Sequence, residues 1–205
     1  KLGAGAVLSA LAGFVAATFK DKPTRRALYL ALAGTAFGIA YLTAYCAYTY
    51  FDYLNDANTL LLLALVSLAT GYFAVTTRAM SVAILAMAGA FIAPVFALDT
   101  PEPGAVYGYY LCASLLSLLM VFLRGWRPLS HLSLLFTLAG GLFFGWARQF
   151  YAPQFYSVMQ PFLLALAIVH LIMPLVERGR PVAATLARFD VAYAILLPII
   201  AAGLT

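Results

Sequence analysis

Two histidines, two cysteines and thirteen tyrosines are the groups this chain offers for chemistry, set among long apolar runs that contain no carboxylate, lysine or arginine near their middles. His170 is the one strongly polar titratable side chain well inside such a run. It has the chemistry of a ligand or a proton carrier. The plainer reading is a neutral imidazole hydrogen-bonded to a neighbouring helix. His131 opens another run and reads as interfacial. Two histidines on separate runs are too few for a metal centre. A membrane hydrolase needs a nucleophile with a base in reach. An ion-coupled transporter usually keeps an ionisable group inside the membrane. Neither pattern is present, so we expect no catalytic residue, no metal site, no cofactor and no enzyme.

Other polar and aromatic groups suggest binding or packing. Gln160 beside Pro161 has the make-up of a helix break that exposes backbone groups to a solute. Tyr41, Tyr45 and Tyr48 share one face of a helix at helical spacing. Rings crowd the turns around Tyr50, Tyr53, Tyr107, Tyr110, Phe150 and Tyr151, as an aromatic belt at the headgroup level would. Cys46 and Cys112 both fall near the same surface; two small buried thiols is the reading preferred to a disulfide.

These groups must be carried by membrane-spanning helices. Hydrophobic residues make up 65% of the 205 and charged residues 9%, against about a quarter charged in a soluble domain. The runs are continuous, not alternating, and reach the ~20 residues that cross the hydrocarbon. We therefore expect an all-α polytopic bundle of about eight spans forming a single domain over residues 1–205. The first seven are expected at Leu2–Phe19, Ala27–Tyr50, Thr59–Val75, Ala79–Leu98, Val106–Leu123, Leu129–Ala147 and Phe155–Val176. Pro161 and Pro174 are expected to interrupt the seventh. Val182–Asp190 reads as a short interfacial helix before an eighth span from Val191. With apolar sequence at both ends, we expect the 205 residues to be part of a longer polypeptide.

The turns alternate in charge. Lys20, Lys22, Arg25, Arg26, Arg78, Arg124, Arg127, Arg178, Arg180 and Arg188 share one side if the spans alternate, while Asp52, Asp56, Asp99 and Glu102 take the other. The basic side is expected to be cytoplasmic. That bias accounts for the net charge of +5 without nucleic acid. Small residues mark packing faces: Gly5, Ser9 and Gly13 on the first span, Gly34 and Gly38 on the second. A short core recurs every two spans, as Leu32-Ala33-Gly34, Met87-Ala88-Gly89 and Leu138-Ala139-Gly140, the period of repeated two-helix hairpins. We expect the Gly-bearing even spans to lie inside and the Leu-rich odd ones nearer lipid.

The stretch Ala86–Tyr110 holds the end of one span, an acidic turn and the start of the next. Gly89 admits a neighbouring backbone, and Pro94 is expected to kink the helix near its end. Together with Ala31–Tyr48 and Tyr109–Leu129, this stretch resembles the bacterial predicted membrane proteins of domain of unknown function 2339. The pattern there is Gly-Gly-aromatic-x-x-Pro, a polar turn, then a Tyr-containing Leu-rich span ending in Arg and Trp. Gly89, Phe91, Pro94, Tyr110, Arg124 and Trp126 match it, and Ala90 replaces the second glycine. The similarity runs from about Ala27 to Arg178. It implies an inner-membrane protein of many spans, and carries over no activity and no site residues.

The first functional expectation is a non-enzymatic scaffold or accessory subunit, packing against membrane lipids and other membrane chains or the rest of its own. The alternative is a carrier for an apolar or lipid-linked solute, with Tyr41, Tyr45, Gln160 and Pro161 at its site.

Overall fold

In a medium without water, each backbone N–H and C=O must find its partner within its own segment, and a helix does that. The computed structural model describes residues 2–19, 23–51, 53–97 and 102–177. Among them are seven α-helices: α1 (Leu2–Ala17), α2 (Arg26–Thr49), α3 (Asp56–Thr77), α4 (Met80–Ala97), α5 (Pro103–Arg124), α6 (Arg127–Ala147) and α7 (Tyr156–Glu177). Their ends fall within three residues of those expected from the apolar runs. Five of them, α2, α3, α5, α6 and α7, are long and apolar enough to cross a membrane. The apolar α1 and α4 are shorter; the 16 residues of α1 reach about 24 Å. The interfacial helix expected at Val182–Asp190 and the eighth span lie outside the described residues, as does Asp52.

The chain forms two compact units, residues Lys1–Thr100 and Pro101–Thr205. In the first, α2 touches α1, α3 and α4, and α3 lies along α4. The Arg26 guanidinium donates to the Thr77 carbonyl at 3.0 Å, so the turns before α2 and after α3 share one end. That carbonyl is one of the acceptors a helix C-terminus leaves without an intrahelical donor. At the other end, Tyr48 donates to Asp56 at 2.9 Å, and the Asn55 side chain caps α3 through the Asn58 N–H. Arg78 closes α3 in the left-handed region, with φ of 54°. In the second unit α5 touches both α6 and α7, most extensively α7.

Three expectations are corrected here. Pro161 and Pro174 do not interrupt the seventh span, because α7 runs unbroken from Tyr156 to Glu177. Proline removes one donor, whereas unwinding would strand several backbone groups, each costing several kcal/mol in lipid. The division into Gly-bearing inner spans and Leu-rich outer ones also fails. The Leu-rich α3 and α5 bury at least as large a share of their length as α6, and more than α2. Burial is sorted by face, not by helix. On α3 the inner face is Thr59, Leu63, Ser67, Thr70 and Ala74, while Leu61, Leu65 and Leu68 are exposed. Finally, Gly38 is not a close-packing point: a Cβ there would meet nothing within 4 Å. The small face of α1 does pack as expected, with Gly5 against Thr43 and the Ser9 hydroxyl on the Ala36 carbonyl at 2.8 Å.

Candidate functional site

Buried hydroxyls and one imidazole join the helices of each unit, and these junctions are where any interior chemistry would sit. In the first unit the junction is Tyr41. Ser67 gives its single proton to the Leu63 carbonyl at 2.8 Å. The Tyr41 hydroxyl therefore donates to Ser67 Oγ, with the Ala86 carbonyl at 3.3 Å as a second acceptor. One tyrosine of α2 thus binds α3 and α4 together. Its ring lies against Gly89, where a Cβ would stand 2.6 Å from the ring carbon Cζ. Gly89 thus makes room for an aromatic ring, not for a backbone. Pro94 is buried farther along α4, and the helix runs on through it to Ala97. Tyr45 is half-buried one turn beyond Tyr41.

In the second unit the junction is His170, buried on α7. Its Nδ1 lies 2.8 Å from the Leu166 carbonyl. A carbonyl only accepts, so Nδ1 carries the proton of the neutral ring. The lone pair on Nε2 then accepts from the Ser133 hydroxyl of α6 at 3.3 Å. The contact joins α7 to α6, as expected of this histidine from the sequence. The pair has the atoms of a nucleophile and its base, but both side chains are fully enclosed. One turn farther along α6, Thr137 meets Ser114 of α5 at 3.3 Å.

At the end of α6 the tyrosines turn inward. Tyr107 and Tyr151 both donate to the Gly141 carbonyl, at 3.2 and 3.1 Å. The Tyr110 hydroxyl fills the place of a side chain at Gly140, and the Tyr151 ring does so at Gly145. Phe150 stacks on Phe144 with ring centroids 5.7 Å apart. The aromatic belt is thus partly core: Tyr107, Tyr110 and Phe150 are buried, while Tyr50 and Tyr53 of the first unit stay exposed. Burial holds the Tyr151 hydroxyl above the ordinary tyrosine range.

Tyr41, Tyr45, Gly89 and Pro94 belong to the first unit; Gln160, Pro161 and His170 belong to the second. Gln160 and Pro161 are exposed on the first turns of an intact helix. They release no run of backbone groups. Cys46 and Cys112 are free; Cys46 is half-buried and Cys112 exposed, so the expectation of two buried thiols is not met. Ser67 and Ser133, the partners of Tyr41 and His170, were missed. Their signal was present as hydroxyls at helical spacing: Thr59, Ser67 and Thr70; Ser114 and Ser117; Ser130, Ser133 and Thr137.

Residues 1–205 match the family model described as Predicted membrane protein (DUF2339). No curated protein and no solved structure matches the chain.

Proposed function

The chain belongs to the DUF2339 family of predicted membrane proteins, and from that premise we propose that it serves as a non-enzymatic scaffold or accessory subunit within a membrane assembly. One observation carries this reading. Tyr41 and His170, the polar side chains best placed for interior chemistry, are each engaged in holding helices together. The outward surface, in contrast, is almost wholly apolar along the helices, as on α1, where Val7, Leu8, Leu11 and Phe14 are exposed. Such faces suit lipid and other membrane helices. The carrier reading loses support at Tyr41, whose hydroxyl and ring are already occupied within the bundle.

We place the protein in a bacterial inner membrane with its basic turns cytoplasmic, following the positive-inside rule. The Arg26–Thr77 bond supports the sidedness within the first unit. We also read the recurring Leu/Met-Ala-Gly cores as traces of two-helix repeats in a bundle of about eight spans. The α1–α2 and α3–α4 pairings of the first unit support this.

The test is purification of the intact polypeptide from native membranes in mild detergent. The scaffold reading expects a second membrane chain at fixed stoichiometry, displaced by Leu8→Trp with Leu11→Trp on the exposed face of α1. A chain that reconstitutes alone and turns over a solute or substrate would remove the proposal.

A further inference from the structure

Arginines of two helices meet at one corner of the first unit. Arg26 opens α2, and one N–H of its guanidinium reaches the Thr77 carbonyl at 3.0 Å. That carbonyl belongs to the peptide bond joining Thr77 to Arg78, so the Arg26 guanidinium lies against the Arg78 backbone. The bond uses one N–H of the guanidinium and leaves the others, and the Arg26 side chain is exposed. Arg78 is exposed too, and among the described residues its side chain has no hydrogen-bond or ion-pair partner. Arg25, just before α2, places its guanidinium carbon 5.5 Å from the centre of the Phe19 ring. The corner is stiffened from within. Phe73 of α3 packs against Tyr29 and Phe37 of α2, with ring centroids 5.7 and 5.5 Å apart. The exposed stripe of α3, Leu61, Leu65, Leu68 and Tyr72, runs toward this end, and Leu28 of α2 is exposed two residues after Arg26.

We propose that this corner takes the headgroup phosphates of anionic phospholipids, with Arg78 and the remaining N–H groups of Arg26 as donors, each acting on its own. The proposal rests on the chain lying in a membrane and not on the scaffold role. A guanidinium presents a planar fork that matches phosphate oxygens two at a time, so either arginine holds a phosphate without the other. The bond to Thr77 keeps Arg26 in place, which lowers the ordering cost of binding. Tyr72 precedes Arg78 by about 9 Å along α3, and its amphipathic ring suits the level between acyl chains and headgroups. Leu68, Leu65 and Leu61 continue as a surface for the chains below it. Among the described residues of this unit Asp56 is the one carboxylate, and it receives Tyr48 at the other end of α3, about 30 Å away. Asp21 lies outside the described residues, and one carboxylate cannot neutralise Arg25, Arg26 and Arg78 together. Clustered basic residues beside a membrane helix attract anionic lipid.

The experiment uses the full chain in neutral detergent, with dioleoyl phosphatidylglycerol and dioleoyl phosphatidylcholine as competing probes read by native mass spectrometry. The wild type retains phosphatidylglycerol in preference. R78Q and R26Q each lose about five-fold of that preference, and the double variant loses more than either, at about a kcal/mol per basic residue near a headgroup. R148Q makes the same change of charge in the second unit and loses none. Equal retention of the two lipids by the wild type overturns the proposal. So does an equal loss in R148Q and R78Q, which would mark net charge and not this corner. Displacement by inorganic phosphate at the lipid's own concentration would mark a site for free anion and overturns it as well. A second measurement reads the place of binding. In a W126F/W146F background, Y72W supplies the single tryptophan, on the stripe that leads to Arg78. Phosphatidylglycerol with brominated chains quenches it more than brominated phosphatidylcholine does, and R78Q removes the difference. Equal quenching by the two lipids before R78Q is introduced refutes the assignment.

Discussion

Gly89→Ala is the sharpest test of how the first unit is held together. The new methyl would lie 2.6 Å from Tyr41 Cζ and 2.9 Å from the two flanking ring carbons, which no real contact tolerates. Tyr41 cannot swing aside freely, because its hydroxyl is anchored on Ser67. Overpacking costs about 1–3 kcal/mol, and losing an interhelical hydrogen bond in a membrane about 0.6 kcal/mol. Replacing glycine by alanine in a helix returns about 1 kcal/mol. The net expectation is a loss of roughly 0.6–2.6 kcal/mol, within the additivity limits of such sums. Gly38→Ala is the matched control, with nothing within 4 Å of the added carbon, and should gain up to about 1 kcal/mol. The assay is a dodecyl sulfate titration in mild detergent. A C112S background leaves half-buried Cys46 as the single thiol reporting on the first unit. In a Y41A background the cost of Gly89→Ala should largely vanish. If G89A and G38A shift the midpoint alike, or if Y41A leaves the G89A effect intact, the Tyr41–Gly89 fit is not what joins α2 to α4.

Further outcomes follow from the same contacts. Ser133→Ala removes the donor to His170 Nε2 and should destabilise the second unit by about 0.6–1.7 kcal/mol, read from the fluorescence of Trp126 and Trp146. Arg78→Gly relieves a left-handed residue at the end of α3 and should stabilise the first unit by about 1 kcal/mol in the Cys46 assay. Tyr151 is held above the ordinary tyrosine value of 10.0 by burial, so its neutral form favours the folded state. Its contribution is full below that value and is lost as the pH rises beyond it, because the unfolded chain ionises first. Tyr151→Phe should therefore flatten the alkaline fall in melting temperature, and an unchanged slope would show that other groups set it.

The helices were legible because a continuous apolar run has few alternatives in lipid, and charged turns mark its ends. Arg26, Arg78, Arg124 and Arg127 all stand at helix boundaries. His170 was legible as a helix-joining imidazole, since a lone polar side chain in an apolar run must find a partner. Which partner was not, because Ser133 lies 37 positions away and a hydroxyl looks the same whether it meets its own backbone or a neighbour. The inner face was misread for a related reason. Burial was assigned to whole helices, Gly-bearing inside and Leu-rich nearer lipid, whereas it divides each helix by face, with leucine outward, the reverse of a domain in water. Lipid accepts leucine readily, and small hydroxyl residues instead permit close approach and interhelical bonds. Thr59, Ser67 and Thr70 are therefore buried while Leu61, Leu65 and Leu68 look out. The prolines of α7 were misread because Pro161 and Pro174 break helices in water, where the freed carbonyls can be hydrated.

That reversal means jacket and joinery are written in different letters. Leu61, Leu65 and Leu68 on α3, and Leu115, Leu119 and Phe122 on α5, form greasy stripes that supply none of the hydrogen bonds fastening the helices. Recoding those stripes with glutamate and lysine would change the solvent the protein tolerates while leaving the Tyr41 and His170 fastenings unaltered. A detergent-free analogue of each unit is thus a matter of rewriting its outside.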